Sequence, residues 1–143
     1  MNYKVTKKEY EYFKSQFIKW ADLLGVKDWE FFFTYGRVDA AKDYRACIFD
    51  DPDTRLVAIY FDPDWGIKPR NKELSMVAFH EVCEVLFSDL NNLLPKKVKD
   101  TIGQREIHKI IRILENTMFE KYYSISSSKC PNFSFFAFKY FSL

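Results

Sequence analysis

Apolar residues near the start of the chain recur at spacings of three and four: Tyr10, Phe13, Phe17, Trp20 and Leu24 fall on one side of a helical wheel. Thr6, followed three residues later by Glu9, is a capping-box pair that starts this helix near Lys7, and Gly25 ends it. The pattern then shortens. Trp29 to Tyr35, Tyr44 to Phe49 and Arg55 to Phe61 are brief runs rich in aromatic and β-branched residues, which predicts three strands. Asp50 to Thr54 is a turn cluster, so the second and third strands read as a hairpin, and Asp62 to Gly66 ends the sheet.

Helical spacing returns in two further segments. From Asn71, a fair N-cap, one helix carries Met76, Phe79, Cys83, Leu86, Phe87 and Leu90 on a buried stripe, until Asn91, Asn92 and Pro95 break it. Lys96, Lys97 and Lys99 read as a solvated basic loop. Thr101 with Gln104 repeats the capping pattern and opens a helix to about Tyr122, striped by Ile107, Ile110, Ile111, Leu114 and Met118. The expected fold is α+β: a small, mostly antiparallel sheet of about three strands packed with three helices. Residues 1–123 form the domain, and 124–143 form an aromatic tail or added strand, with Ser126–Ser128 as linker.

Composition narrows the function classes. A length of 143 residues suits one domain with a full core, and fifteen Phe and nine Tyr allow much area to be buried by few residues. The net charge of +2 is spread among acidic residues, which argues against a nucleic-acid partner. Three cysteines without CxxC spacing indicate neither a disulfide framework nor a cysteine zinc site. No apolar run is long enough to span a bilayer, and the N-terminus has no apolar signal core. The expectation is a soluble cytoplasmic protein without a membrane partner. The acids at Asp62 and Asp64 lack calcium-loop spacing and read as turn formers.

The chemistry concentrates in the second helix. His80 is followed by Glu81, and Glu84 comes four residues after His80, on the same helical face. This is the HExxH pattern with glutamate in the second ligand place. A lone histidine on an amphipathic helix is more often packed than ligating, so the decision rests on the other histidine, His108. Two successive helices joined by a short loop pack antiparallel, which lets His108 face His80 and Glu84. Two imidazoles and a carboxylate are three ligands for one Zn²⁺, with a fourth position open. Glu81 would be the general base that takes a proton from an activated water and passes it to the leaving amine. Glu115 is a candidate to orient an imidazole N–H, or a surface ion-pair partner; Glu106 is a weaker alternative ligand. Cys83 reads as a packing residue, and Tyr60, Arg45 and Arg55 are undistinguished candidates for stabilising an oxyanion.

FHEVCEVLF around His80 and REIHKIIRILENTMF around His108, preceded by the strand RLVAIYFD, resemble the zincin metallopeptidases. The likeness is greatest to the small, phage-type zincin-like proteins and covers roughly Trp29 to Met118. It implies zinc held by His80, Glu84 and His108, Glu81 as base, and a protein or peptide as substrate, in the host cytoplasm if the chain is phage-encoded. The departure is Glu84, where the fuller pattern has histidine; sequences of this type carry either. The alternative implied by that departure is a catalytically inactive zincin-like module that binds a protein partner with or without metal.

Overall fold

Thr6 caps α1 (Lys7–Leu24) as its spacing predicts: Thr6 Oγ1 accepts the Glu9 N–H, and the Glu9 carboxylate accepts the Thr6 N–H at 2.8 Å. Gly25 ends α1 in the left-handed conformation, φ 74°, where a Cβ would be strained. The computed structural model describes residues 3–37, 39 and 44–127. Ahead of α1, β1 (Tyr3–Lys4) pairs antiparallel with β5 (Asp64–Gly66). The stretch expected only to end the sheet therefore builds a second, two-stranded ribbon.

The main sheet has the order β2-β4-β3, from β2 (Glu30–Tyr35), β3 (Ala46–Asp51) and β4 (Leu56–Phe61). β3 and β4 form the expected antiparallel hairpin, with Ile48 opposite Ile59, while β2 runs parallel to β4. The fold is α+β, with small and mostly antiparallel sheets, as expected. β3 starts and ends two residues later than the pattern suggests. The reason lies in the turn: Asp51 Oδ1 accepts the Asp53 N–H at 3.1 Å, and Arg55, not a glycine, takes the left-handed φ of 57° that closes it. The Arg55 guanidinium lies 4.9 Å over the Trp29 ring and 2.8 Å from Asp89, which holds it in that conformation.

Alternation along β4 buries Val57, Ile59 and Phe61, and α1 packs on that face. Phe17 meets Phe31 and Phe33 edge-on at 5.1 and 5.2 Å, and Phe13 lies 4.7 Å from Phe61. Each such side chain, fully buried, contributes about 1.5–3 kcal/mol. Next to α1 lies α2 (Asn71–Leu86), with Trp20 edge-on to Phe79 at 5.0 Å. The buried Trp20 Nε1–H donates to Ser75 Oγ at 3.0 Å, and Ser75 in turn donates to Gln16. The N-cap of α2 is Arg70, one residue earlier than expected, and its N–H donates to Glu73 at 2.8 Å.

α2 is the central helix, and that changes its pattern. Leu74, Ala78, Phe79, Glu81, Val82, Cys83 and Val85 are buried around most of its circumference, whereas Leu86 and Leu90 from the expected stripe are exposed. A helix packed on several sides has no single stripe to read. It stops at Phe87, and the residues expected to break it form α3 (Ser88–Leu93). The real interruption is Leu94, extended before Pro95 as the proline ring requires.

From Lys96 the path is helical again: α4 (Lys96–Val98), a π-helical turn (Lys99–Gly103), α5 (Gln104–Leu114), a second π-helical turn (Glu115–Phe119) and α6 (Glu120–Ser127). The basic loop is thus helical. Thr101 sits inside the first π turn, its Oγ1 donating to the Lys97 carbonyl at 2.8 Å instead of capping Gln104. The extra residue of the second π turn moves the buried stripe on by one. Ile107 and Ile111 are followed by Phe119, fully buried against Trp20 and Phe79 at 5.4 and 5.5 Å, with Met118 only partly buried and Ile110 exposed. Ser126 and Ser127, expected to be linker, close α6, and the remaining tail residues, 128–143, lie outside the described residues. No helix among the described residues is long and apolar enough to cross a membrane.

Candidate metal centre

His80 projects from the middle of α2, Glu84 from one turn later, and His108 from the second turn of α5. The docking of α5 on α2 through Ile107 and Ile111 brings the three together: one ligand atom from each lies within 4.8 Å of the other two. Glu84 Oε1 is 3.4 Å from His80 Nε2 and 3.1 Å from His108 Nε2. The two imidazole rings are 5.6 Å apart at 40°. Around a tetrahedral zinc with bonds of about 2.0–2.1 Å, donor atoms sit roughly 3.3–3.4 Å from one another. Glu84 Oε1 stands at about that spacing from each imidazole Nε2, so the three side chains could hold a metal ion.

The other ring nitrogen of each histidine is committed. His80 Nδ1 lies 2.7 Å from Glu115 Oε1, just past the end of α5, and His108 Nδ1 lies 2.8 Å from the Gln104 carbonyl, one turn back on its own helix. Both contacts favour the N–H on Nδ1 and leave Nε2 directed to the shared point. Of the two roles open to Glu115 from sequence, orienter or surface partner, the structure places it in contact with the imidazole.

Glu81 behaves differently from its neighbours. It is 5 % exposed, and its Oε2 has no hydrogen-bond partner among the described residues. Burial, then the Glu84 charge, raises its carboxyl above the ordinary value of 4.5 despite His80 nearby. His80 is pulled both ways: burial would lower it, but the Glu115 and Glu84 carboxylates and the Glu81 charge outweigh that and hold it up to about 10. Cys47 on β3 is pushed up to about 11, by burial first and then by Glu81 and Glu84. The Glu84 charge thus raises Glu81, and Glu115, Glu84 and Glu81 together raise His80, which marks the cluster as rich in acidic groups.

Other sequence candidates fall elsewhere. Glu106 bonds Arg105 and Lys109 on the exposed side of α5 and takes no part. Cys83 is fully buried, with its thiol pushed up to about 12 by burial and then by Glu115 and Glu84. Arg55 is fixed at the hairpin turn, and Tyr60 packs edge-on to Phe49. Arg45 lies over the Trp65 ring at 4.8 Å and borders the site.

Two hollows flank the cluster between α2 and β3, which is an edge strand. One, of ≈ 300 Å³, is lined by Tyr44, Arg45, Met76, His80, Glu81 and Glu115. The other, of ≈ 140 Å³, lies on the Glu84 side, among Ile48, Asp50, Ser88, Asn91, Gln104 and Ile107. Sequence reasoning anticipates neither the Gln104 carbonyl nor the Asp50–Asn91 wall. A backbone acceptor carries no residue signature, and Asp50 and Asn91 read as turn and breaker residues. No family model matches the chain, and no characterised protein or solved structure matches it either.

Proposed function

We propose that the chain is a zincin-like, metal-dependent hydrolase of peptide or amide bonds, holding one Zn²⁺ through His80 Nε2, Glu84 and His108 Nε2. The observation that carries this reading is the convergence of those three side chains beside Glu81, a buried carboxylate with an unpartnered oxygen. When bound, the cation would supply a Lewis acid that polarises a carbonyl and acidifies water. The chain's own residues supply the rest. Glu115 and the Gln104 carbonyl fix the two imidazoles. Glu81, which lines the hollow beside His80 and Glu115, would accept a proton from the attacking water and return it to the leaving amine. Among the described residues β3 is an edge strand, and an extended peptide laid along it by main-chain hydrogen bonds would pass the hollows at either end of the cluster. The free thiols of Cys47 and Cys83 accord with a cytoplasmic setting.

The test is metal analysis of untagged protein, followed by peptide hydrolysis. One equivalent of zinc, lost in both His80→Ala and His108→Ala, supports the centre; protein that neither retains nor takes up zinc refutes it. One observation favours a second reading, a metal-free binding module: Glu84 already contacts both imidazoles and His80 pairs with Glu115, so the cluster is partly self-neutralising. Under that reading the histidine variants lose stability and no metal.

A further inference from the structure

A third hollow, of ≈ 500 Å³, lies where the end of α1 meets α6, and none of its lining residues belongs to the metal centre. Leu23 and Ile125 line it from the two helices and are 40 % and 47 % exposed, with the half-buried Tyr122 beside them. Exposed aliphatic residues scattered singly need no explanation, but two that share one concavity point to a surface that something covers.

The chain itself supplies an occupant. Ile125 and Ser126, which line the hollow, belong to the last turn of α6, so residues 128–143 start from its rim. Pro131 and Asn132 suit the two central positions of a β-turn, proline for its fixed φ and asparagine for its tolerance of positive φ. Residues 128–132 span up to about 17 Å when extended, whereas Lys19 to Leu23 along α1 covers about 6 Å. The reach is ample. Residues 133–141 then hold six Phe or Tyr and no acid, a run that gains from apolar cover as much as Leu23 and Ile125 do. Lys19 and Lys27, which also line the hollow, bring ammonium groups that pair with ring faces. So short a tether holds the segment at a local concentration on the order of mM, which favours it over a second copy present at micromolar levels.

We propose that residues 133–141 fold back from α6 and dock in this hollow, with aromatic rings laid on Leu23 and Ile125. The C-terminal segment then covers the seam between α1 and α6 and adds no strand to the sheet. The docking is intramolecular, and it requires neither the metal nor hydrolysis.

Two measurements on the full chain test this. In the first, chymotrypsin, which cuts after large aromatic residues, attacks the segment, and mass spectrometry follows its loss. Docked rings are shielded from the protease, so Leu23→Asp and Ile125→Asp should each speed cleavage within residues 133–141 at least fivefold. Phe32→Asp, on an exposed face of the sheet, should change nothing. Unchanged rates in both hollow variants would overturn the proposal. In the second, p-benzoylphenylalanine replaces Phe136 and the chain is irradiated at micromolar concentration, well below the local concentration of the tether. Adducts within one chain, on α1 between Lys19 and Lys27, are expected. Adducts between chains would place a second copy's segment in the hollow, and adducts confined to other surfaces would place the segment elsewhere; either overturns the proposal. This measurement leaves Leu23 and Ile125 intact, so it stands whether or not the aspartate variants fold.

Discussion

Replacing Glu81 by glutamine keeps the shape of the side chain and removes its charge, so its effect on stability is set by the burial of that one carboxylate. The residue is 5 % exposed, one oxygen is unpartnered, and burial followed by the Glu84 charge raises the carboxyl above 4.5. An unpaired buried charge costs about 3 kcal/mol, and the substituted amide, itself short of partners, gives back about 1 kcal/mol of that relief. The metal-free variant should therefore be more stable than the parent by about 2 kcal/mol in alkaline solution, a rise in Tm of roughly 6 °C. The pH dependence has a definite sign. A carboxyl raised on folding contributes stability that is fully present below its ordinary value of 4.5 and is lost as pH rises through the raised one. Parent and variant should thus melt within about 0.5 kcal/mol of each other near pH 4 and diverge as the pH climbs to about 9. Melts tracked by circular dichroism on EDTA-treated protein measure this. Zinc content should be unchanged in the same variant while hydrolysis is lost. A variant destabilised by the same amount at every pH would show Glu81 to be a satisfied structural group, and a parallel loss of zinc would make it a ligand instead of a base.

His80, held up to about 10 against an ordinary 6.5, contributes stability to the metal-free protein that is complete below pH 6.5 and lost as pH rises through about 10. Glu115→Ala should shrink this by about 1–2 kcal/mol and move the imidazole titration downward by NMR; an unmoved titration refutes the contact. Zinc at a hundredfold excess over its Kd should stabilise the chain by about 2.7 kcal/mol, near 8 °C in Tm, and more strongly at higher pH because His80 must shed its proton; an acid-favoured effect would contradict the ligand set. Arg55→Ala should cost about 1–2 kcal/mol in chemical denaturation, by removing the ion pair to Asp89 and the Trp29 contact while leaving a Cβ at φ 57°. Arg55→Gly should cost less because it relieves the backbone; equal losses would show that the backbone carries no strain.

The legible parts of the fold and the site are those with a local signal. The Thr6–Glu9 box and Gly25 bound α1 where the sequence places them, because capping acts within a few residues. His80 and Glu84 share a face through helical spacing alone, whereas His108 reaches them across residues 87–103, which fold as α3, α4 and a π turn instead of the short loop that the sequence suggests. The stripe of α2 departs from its periodicity because that helix is enclosed on several sides, so exposure at Leu86 and Leu90 has no sequence signature. Phe119 takes the buried place that spacing assigns to Met118, because the π turn adds a residue that no spacing rule anticipates. The parallel pairing of β2 with β4, and the ribbon of β1 with β5, depend on long-range contacts without a local signature. The hollow beside Asp50 belongs to the same class, assembled from four elements that are ordinary one at a time.

The two widened turns on either side of α5 each reset the helical phase of a rod that is otherwise continuous from Lys96. The face that the His108-bearing segment turns to α2 is therefore not the one that an unbroken α-helix from α4 to α6 would present. Within that segment the ring itself is held from behind by the Gln104 carbonyl, so the phase of α5 and the aim of its imidazole are set at separate points.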